Sequence, residues 1–313
     1  MEIIRHVAHR PPSFPHPILS LGNFDGVHLG HQAILTRVVQ EARARHGTAL
    51  AFTFYPHTLA VLRPDRPLAL ILSVREKLLQ FACLGIDGVI LQRFSRTFSR
   101  LSPEEFVRRY LVETLRVEKV VVGHNVSFGH KGAGRAETLE QFGRAYGFAV
   151  EVVGPVRVGD REVSSTAVRA LLSAGNLREV TRFLGRPYAV SGRVGKGFQR
   201  GRDLGFPTAN LRPRSDLPLP NGVYAVLVEV GGIRVPGVAN VGVNPTFAGN
   251  RRTIEAHLFD FAADLYGARL RVSFIERLRG EQKFPSVQAL VQQIQEDATR
   301  ARTLLSELAE REP

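Results

Sequence analysis

The sequence lacks the features that mark several classes of protein. Its one cysteine, Cys83, excludes a disulfide within the chain and a cysteine zinc cluster. Cys83 lies in the apolar, helix-like stretch 78–84, so we predict a buried thiol. No run of about 18 apolar residues is present, which argues against a membrane-spanning helix. Residues 1–17 contain no apolar signal core and predict an irregular lead-in, so we expect a cytoplasmic protein.

Lysine is also scarce. Only five of the 42 basic residues are lysine, and the formal net charge is +13 at pH 7. A basic chain favours anionic partners such as nucleic acid, an anionic membrane or phosphorylated small molecules. The arginines are spread along the chain without a block of five or more basic residues, unlike a nucleic-acid-binding tail. We therefore expect phosphorylated small molecules as partners, and neither nucleic acid nor a membrane.

The length of 313 residues suggests two domains, and the pattern changes near Gly185. Before that point, apolar runs alternate with helical patterns. The predicted strands are 18–21, 48–54, 88–91, 119–123 and 148–153, and helices are predicted at 30–45, 73–84, from 102 onward and at 136–146. This order predicts an α/β domain, residues 1–185, with a parallel sheet covered by helices. Ligands of such sheets bind at the carboxyl ends of the strands.

The second part, residues 186–313, is rich in short β segments broken by glycine and proline. Two helices, 166–173 and 177–184, precede it. The predicted strands are 188–194, 223–230, 233–238, 253–260 and 270–278, and a last helix spans 287–308. Segments spaced in this way are typical of a small antiparallel barrel, here closed off by a terminal helix.

Residues 22–32 read GNFDGVHLGHQ and follow the first of these strands. His28 and His31 lie at the strand-to-helix turn, where free backbone N–H groups attract an anion and imidazoles can donate to phosphoryl oxygens. Zinc ligation, a place in the core and the base of a serine nucleophile are the alternatives. No third metal ligand has a known spacing, flanking glycines suit a core poorly, and no elbow serine lies nearby. Phosphate chemistry is therefore favoured.

Two further segments have polar groups suited to nucleotides. Ser164, Ser165 and Thr166 form a hydroxyl cluster at a helix start, and Arg169 follows; such a set suits phosphate, although a plain helix cap is the alternative. The glycine-rich stretch 192–205 matches neither a Walker A motif nor a dinucleotide fingerprint, and hairpin turns are the alternative there.

Motifs in the first part carry a family resemblance. Residues 22–31 resemble the nucleotidyltransferase signature that ends in His-x-Gly-His, and 54–57, 121–129 and 163–169 resemble further motifs of the bacterial bifunctional riboflavin kinase/FAD synthetase family. The resemblance implies a Rossmann-like nucleotidyltransferase domain with His28 and His31 as catalytic residues. It implies ATP binding by Gly22, Phe24, Asp25, His28, His31, Ser164, Ser165, Thr166 and Arg169, and flavin binding by Asn23, Pro56 and Asn125.

The second part resembles the kinase half of the same family. The matching segments are 201–211, 221–225, 237–242, 244–247, 255–260 and 277–284. The resemblance implies ATP binding by Gly195, Gly197, Gly205, Pro207, Thr208 and Asn210. It also implies Mg²⁺ binding by Thr208 and Asn210, whose hard oxygens lie two residues apart and would share one face of an extended segment. Glu255 matches the family's catalytic glutamate; without the surrounding motifs it would be a solvated strand residue.

The resemblance thus implies two linked reactions. Riboflavin is phosphorylated by ATP to FMN, and FMN is adenylylated by a second ATP to FAD with release of pyrophosphate. Mg²⁺ is the implied cofactor, and riboflavin, FMN and ATP are the implied substrates. The alternatives are a nucleotidyltransferase for another acceptor with a flavin-binding C-terminal module, and a flavin- or nucleic-acid-binding protein without catalysis. The sequence leaves the oligomeric state open.

Overall fold

The computed structural model describes residues 1–5, 14–66, 68–195, 204–213, 217–246 and 249–310. The chain divides into two compact units. The first consists of Met1–Leu68 and Val74–Ser165, and the second of Ala69–Ser73 and Thr166–Pro313. Among the helices of the described residues, none has the length and apolar character needed to cross a bilayer.

The first unit is built on a six-stranded parallel sheet, as the alternation of strands and helices predicts. The strands are β1 (Glu2–Ile4), β2 (Pro17–Leu21), β3 (Thr48–Tyr55), β4 (Gly88–Arg93), β5 (Lys119–Gly123) and β6 (Ala149–Val153), and their spatial order is β1-β4-β3-β2-β5-β6. The strand β1 corrects the expectation of an irregular N-terminal lead-in, because Glu2–Ile4 pairs in parallel with β4 at the edge of the sheet.

Helices connect these strands. They are α1 (Leu29–Ala44), α2 (Thr58–Leu62), α3 (Val74–Cys83), α4 (Pro103–Phe106), which continues as a π-helical segment (Val107–Thr114), and α5 (Ala136–Tyr146). The start of α4 is a capping box: Ser102 Oγ accepts from Glu105 N–H, and the Glu105 carboxylate accepts from Ser102 N–H. A short hairpin, β7 (Arg157–Val158) and β8 (Arg161–Glu162), ends the unit.

The connections define where a ligand is expected. From β2 the chain builds the sheet first to one side, through β3 and β4, and then to the other, through β5 and β6. The sheet therefore has a switch point between β2 and β5, and open α/β sheets bind ligands in the crevice at such a point. The segments that follow β2 and β5 begin at Gly22 and His124.

The prediction of a buried Cys83 is wrong. Cys83 is exposed at the end of α3. The buried residues of α3 are Glu76, Lys77 and Phe81, so the helix turns a partly charged face inward and leaves Leu79 43% exposed. The apolar pattern of 78–84 does not mark the buried face, because side-chain partners elsewhere in the chain decide which face is covered.

The second unit contains two helices and a barrel. The helices are α6 (Ser165–Ala174) and α7 (Leu177–Leu184). The strands β9 (Tyr188–Gly195), β10 (Ala209–Leu211), β11 (Gly222–Val230), β12 (Ile233–Thr246), β13 (Gly249–Leu258) and β14 (Arg269–Arg279) close into an antiparallel barrel in the order β10-β13-β12-β11-β14-β9, and α8 (Val287–Ala309) follows. The predicted barrel with its terminal helix is thus confirmed.

Alternation along the barrel strands separates an inner from an outer face. Tyr188 and Tyr224 pack with Phe274, at ring-centroid distances of 6.0 and 5.4 Å, and all three are fully buried. The next residue on β11 after an inward one faces outward. Accordingly Val223, Ala225, Val238, Phe259 and Leu278 form a separate core with Ala301 and Leu305 of α8. The helix α8 therefore covers part of the outer face of the barrel.

Candidate active sites

The loop between β2 and α1 has an unusual backbone. Phe24, Gly26 and Val27 all adopt positive φ angles, of 49°, 89° and 41°. Such angles are uncommon outside glycine and are strained for a β-branched residue such as Val27. The loop keeps this conformation only because the structure around it holds it in place.

Hydrogen bonds hold the carbonyl groups of Asn23, Phe24, Asp25 and Val27 in this loop. The donors are Lys77 Nζ to Asn23 O (2.9 Å), Val27 N–H to Phe24 O (3.2 Å), Ser165 Oγ–H to Asp25 O (2.8 Å) and Gln32 Nε2–H to Val27 O (2.8 Å). Two of these donors are remote in sequence. The loop is therefore fixed by α1, by Lys77 of α3 and by Ser165, the last residue of the first unit.

The two predicted histidines form a stacked pair at the N-terminus of α1. Their ring centroids are 3.6 Å apart and the planes meet at 20°. His28 is the N-cap of the helix, and its Nδ1 accepts from the His31 N–H at 3.3 Å. Because Nδ1 is an acceptor there, the proton of neutral His28 lies on Nε2. A Cβ atom at Gly30 would lie 3.3 Å from the His28 ring, so this glycine allows the ring to lie close to the helix.

His31 is half-buried, and its surroundings favour the neutral imidazole. Burial lowers its pKa well below the usual value of 6.5, and the neighbouring His28 and Lys77 lower it further. Its Nδ1 is buried and has no hydrogen-bond partner among the described residues. A proton on Nδ1 would be a buried donor without an acceptor, so the neutral ring carries its proton on Nε2. In their neutral forms both histidines therefore carry the proton on Nε2.

Lys77 is a site residue that the sequence reasoning missed. It is only 7% exposed, and its ammonium donates to Asn23 O and to Thr53 Oγ1, each at 2.9 Å. Burial lowers its pKa to about 8, while the negative charge of Asp25 acts in the opposite direction. The available signal was a lysine four residues before Phe81 on one face of a predicted helix, in a chain with only five lysines.

The other predicted residues of this site differ in burial and in the contacts that they make. Asn23 Nδ2 donates to Thr58 Oγ1 at 3.0 Å, which joins the loop to the start of α2, just beyond the half-buried Pro56. Gly22 packs against the Phe24 ring, and Asn125 is exposed in the segment after β5. Asp25 is 4% exposed. The remaining predicted residues are half-buried Ser164 and Arg169, and exposed Thr166.

In the barrel, strand register places three polar residues side by side. Glu255 of β13 pairs directly with Asn210 of β10 on one side and with Asn240 of β12 on the other. Directly opposed residues of antiparallel strands share a face, and this face is the outer one. Glu255 and Asn240 line a cavity of about 650 Å³, together with Thr208, His257, Arg279, Phe284 and Asp297 among others.

The segment around Thr208 is tied to this face. Pro207 O lies 2.9 Å from His257 Nδ1, and Asn210 Nδ2 donates to Thr208 O at 3.4 Å. The oxygen of the Asn210 amide therefore remains as an acceptor. Gly205 has φ 84°, and Gly195 pairs with Asn210 across β9 and β10. The predicted Gly197 lies outside the described residues.

Asn240 and the ion pair Arg279–Asp297 are further residues that the sequence reasoning did not assign. Arg279 Nε and a terminal guanidinium nitrogen lie 2.8 and 2.7 Å from Asp297 Oδ2, and the side chains are 16% and 8% exposed. The Arg279 guanidinium also lies 5.6 Å from the centroid of the Phe284 ring. These contacts arise from strand pairing and from the packing of α8 on the barrel. The local signal for Asn240 was its place in 237–242, a segment that resembles a family motif.

In the described part of the chain, no group of three histidine, cysteine, aspartate or glutamate side chains converges to hold a metal ion. A cation bound beside Glu255 would have to rely on neutral oxygens and on the phosphates of a nucleotide. Mg²⁺ is commonly bound in that way, because it keeps waters and substrate phosphates in its shell.

Comparison with known proteins gives concordant results. A family model described as FAD synthetase matches residues 12–167, and one described as riboflavin kinase matches residues 184–305. A bifunctional riboflavin kinase/FMN adenylyltransferase of Escherichia coli (strain K12) is 40% identical over 286 residues, 91% of each chain. The protein of the same description from Pseudomonas fluorescens is 39% identical over 313 residues, 99% of this chain and 100% of the relative.

A solved structure is also similar over nearly the whole chain. The crystal structure described as a macrolide-efflux protein from Streptococcus pneumoniae has a TM-score of 0.86 and 31% identity, and the match covers 95% of this chain and 97% of that one. The two family models and the relatives of matching length agree with the two units and their motifs. The chain therefore belongs to the family of bifunctional riboflavin kinases/FMN adenylyltransferases.

Proposed function

We propose that the two activities of the family are divided between the two sites described above. The site at the β2–α1 loop transfers AMP from ATP to FMN, and the outer face of the barrel phosphorylates riboflavin with ATP. In this division residues 1–185 form the adenylyltransferase domain and residues 186–313 the kinase domain. The substrates are small molecules, and the enzyme acts in the cytoplasm without a nucleic-acid or membrane partner.

The stacked pair of His28 and His31 carries the first assignment. Two Nε2–H donors lie at the N-terminus of α1, beside the switch point of the sheet, where the backbone N–H groups of the helix add partial positive charge. This arrangement suits the triphosphate of ATP, whose negative charge moves toward the leaving pyrophosphate during the reaction. Donors fixed in advance stabilise such charge without reorganising.

Adenylyl transfer requires no general base. An FMN phosphate oxygen attacks the α-phosphorus of ATP, the new P–O bond forms, and the bond to the bridging oxygen of pyrophosphate breaks. The attacking phosphate is already largely dianionic at neutral pH, since its second pKa is about 6. The site therefore has to position two anions, a task for which a loop held in a fixed conformation by hydrogen bonds is well suited. Ser164, Ser165, Thr166 and Arg169 contact ATP phosphates in this proposal, and Asn23, Pro56 and Asn125 contact the flavin.

Glu255 carries the second assignment. The riboflavin 5′-hydroxyl must lose a proton as its oxygen attacks the γ-phosphorus of ATP and ADP leaves, and a carboxylate within hydrogen-bond reach can accept that proton. Asn210 and Asn240 flank Glu255 in register and provide amide groups on the same face. Gly195, Gly197, Gly205 and Pro207 complete the nucleotide-binding segment in this proposal.

Thr208 and Asn210 would hold Mg²⁺ in the kinase site. Their oxygens are hard ligands, and the Asn210 amide oxygen remains as an acceptor when its nitrogen donates to Thr208 O. When bound, the ion neutralises charge on the transferred phosphoryl group. Glu255 remains the group that takes the proton.

The two assignments can be tested in one reaction mixture. The chain is incubated with riboflavin, ATP and Mg²⁺, or with FMN in place of riboflavin, and the flavins are separated by chromatography. Glu255→Gln is expected to abolish FMN formation from riboflavin and to leave FAD formation from supplied FMN nearly intact. The double variant His28→Ala, His31→Ala is expected to do the reverse.

Each variant serves as the folding control for the other, because the unaffected activity reports an intact chain. FMN without any FAD from the wild-type chain would overturn the adenylyltransferase assignment. Loss of both activities in Glu255→Gln, with unchanged thermal unfolding, would overturn the assignment of independent sites.

A further inference from the structure

Lys77 is a buried titratable group that the proposed chemistry does not use. A lysine ammonium loses much of its hydration when buried, so a 7% exposed lysine with no carboxylate in hydrogen-bond contact among the described residues needs an explanation. Its two acceptors are neutral oxygens: the backbone carbonyl of Asn23 and the hydroxyl of Thr53. Neither oxygen carries a full charge, and the attraction of the Asp25 carboxylate is smaller than the cost of burial.

The place of Lys77 in the fold is specific. Thr53 lies near the carboxyl end of β3, and Asn23 follows β2, so one ammonium joins the ends of two neighbouring strands where the ligand crevice opens. Thr53 Oγ1 also donates to Asn23 O, at 3.3 Å. Lys77, Thr53 and the carbonyl of Asn23 are thus all hydrogen-bonded to one another, at the start of the loop that leads to the histidines.

The same face of α3 reaches the histidines by packing. Phe81, one turn after Lys77, packs edge-on against Phe24 with ring centroids 5.5 Å apart, and Phe24 packs edge-on against His31 at 5.3 Å. Lys77 and Phe81 therefore hold two successive residues of the loop, Asn23 and Phe24. The second of these residues is in direct contact with His31.

We propose that Lys77 is a positioning residue for adenylyl transfer: its ammonium fixes the β2–α1 loop through Asn23 and so sets the place of the Phe24 ring against His31. This inference deepens the proposed adenylyltransferase function and rests on it. A neutral His31 keeps Nδ1 free of a proton that would have no acceptor, and keeps Nε2–H as a directed donor. An imidazolium would repel the Lys77 ammonium, and it would also stack unfavourably on His28 if that ring became charged.

The charged and titratable groups around Lys77 come from three elements. His31 comes from α1, Asp25 and His28 come from the loop before it, and Glu76 precedes Lys77 on α3 and is itself 2% exposed. Strand β3 contributes the Thr53 hydroxyl. The pKa of Lys77, about 8, means that the ammonium is mostly present at pH 7 and is lost as the pH rises through 8.

The test compares three variants of the full chain. Lys77→Met removes the charge and the donors, whereas Lys77→Arg keeps a positive charge at every accessible pH. Lys119→Met is the matched control: Lys119 is also a buried lysine of the first unit, but it begins β5 at the opposite end of the sheet and pairs with Glu41 and Glu151. FMN adenylylation is measured from pH 6 to 10, with riboflavin phosphorylation and thermal unfolding measured on the same samples.

We expect Lys77→Met to lower kcat of adenylylation about tenfold or more at pH 7, since small misplacements at a reacting centre have effects of this size. Riboflavin phosphorylation and Tm are expected to stay near wild-type values. The wild-type adenylylation rate is expected to fall above pH 8, because the ammonium is lost there. Lys77→Arg is expected to retain activity at pH 7 and to lack this alkaline fall, and Lys119→Met to keep the wild-type pH profile.

The inference is overturned if Lys77→Met adenylylates FMN at the wild-type rate, or if the alkaline fall persists in Lys77→Arg. A parallel loss of both activities and of Tm in Lys77→Met, with no recovery in Lys77→Arg, would show a merely structural role and also overturns it. A wild-type chain that makes no FAD from FMN would instead refute the proposed function. The wild-type sample therefore distinguishes failure of the proposed function from failure of this inference.

Discussion

The β2–α1 loop and strand β13 hold their functional side chains by different means. In the loop, positive φ angles at Phe24 and Val27 are maintained by hydrogen bonds from distant side chains. In the barrel, Glu255 lies between Asn210 and Asn240 because the ladder hydrogen bonds of three strands set their register. One site depends on individual side-chain contacts, and the other on regular backbone pairing.

This difference predicts different sensitivities. A side-chain contact in the loop contributes to activity and only modestly to stability, because the loop is short and the sheet beneath it is independently packed. The barrel face is part of the barrel itself, so disturbing what covers that face should affect stability and activity together. The following variants test this contrast.

The largest effect is expected at the ion pair beside the barrel cavity. Asp297→Ala leaves the Arg279 guanidinium, 16% exposed, without its carboxylate. Removing one partner of a buried pair typically costs about 3–5 kcal/mol, so the free energy of unfolding of the barrel unit should fall by that order and riboflavin phosphorylation with it. Urea unfolding followed by circular dichroism measures the loss.

The paired control is the double variant Arg279→Met, Asp297→Leu, which removes both charges. It should lose less stability than Asp297→Ala alone, because no uncompensated charge remains. Equal stability of wild type and Asp297→Ala would break the proposed coupling between stability and activity at this site.

A smaller effect, confined to activity, is expected in the loop. In Gly30→Ala the new Cβ would lie 3.3 Å from the His28 ring and 3.5 Å from Val163 O. Alanine stabilises a helix by about 0.5–1 kcal/mol relative to glycine, yet the displaced ring should lower kcat/KM of FMN adenylylation about tenfold, or about 1.4 kcal/mol. Riboflavin phosphorylation should not change.

Gly154→Ala is the matched control for Gly30→Ala, because its Cβ would meet nothing within 4 Å. It should keep both activities. If Gly30→Ala adenylylates FMN as well as Gly154→Ala does, the close approach of His28 to the helix has no functional weight.

A gradual effect is expected from pH. The pKa of His31 is lowered in the folded chain, so the unfolded chain binds a proton that the folded chain does not as the pH falls below about 6.5. Stability of the first unit should therefore decrease from pH 7 toward pH 5, with a slope of at most about 1.4 kcal/mol per pH unit from this group. Amide hydrogen exchange of α1, corrected for the pH dependence of the intrinsic exchange rate, measures this change in stability. In His31→Gln the slope over this range should be reduced; an unchanged slope would mean that another group is responsible.

The smallest effect is expected at the barrel surface. Arg302 contacts Asp260 at 2.6 and 3.0 Å, but Asp260 is 78% exposed. Exposed ion pairs contribute little because water and salt screen them. Asp260→Asn should leave the urea midpoint and both activities unchanged within error, while Arg302 still covers the Phe259 ring at 4.2 Å. A clear decrease in the urea midpoint would show that this ion pair helps to hold α8 on the barrel.

Local sequence signals predicted much of the fold. The capping box at Ser102 and the helix Ala136–Tyr146 agree with the structure because their determinants lie within a few residues of each other. The strand pattern predicted both the parallel sheet and the barrel. Glu255 could be placed on a face by alternation, although its lateral neighbours could not.

The remaining features depend on contacts between distant residues. Lys77 reaches Asn23 across 54 positions, and Ser165 reaches Asp25 across 140. Asn240 lies beside Glu255 only once β12 pairs with β13. The exposed Cys83 has the same cause: the buried face of α3 is decided by what Lys77 and Phe81 contact, and not by the apolar pattern of the helix.

Ala69–Ser73 belongs to the second unit, although the segments before and after it in the sequence belong to the first. The polypeptide passes from one unit to the other after Leu68, returns after Ser73 and passes over again after Ser165. A fragment that ends at residue 185 would carry away Ile71 and Leu72, which are 2% and 8% exposed in the whole chain. A fragment that begins at residue 186 therefore lacks part of the second unit, and a single cut after Ser165 leaves Ala69–Ser73 in the fragment that contains the first unit. Full-length variants, and not separated halves, are the proper comparison for the two activities.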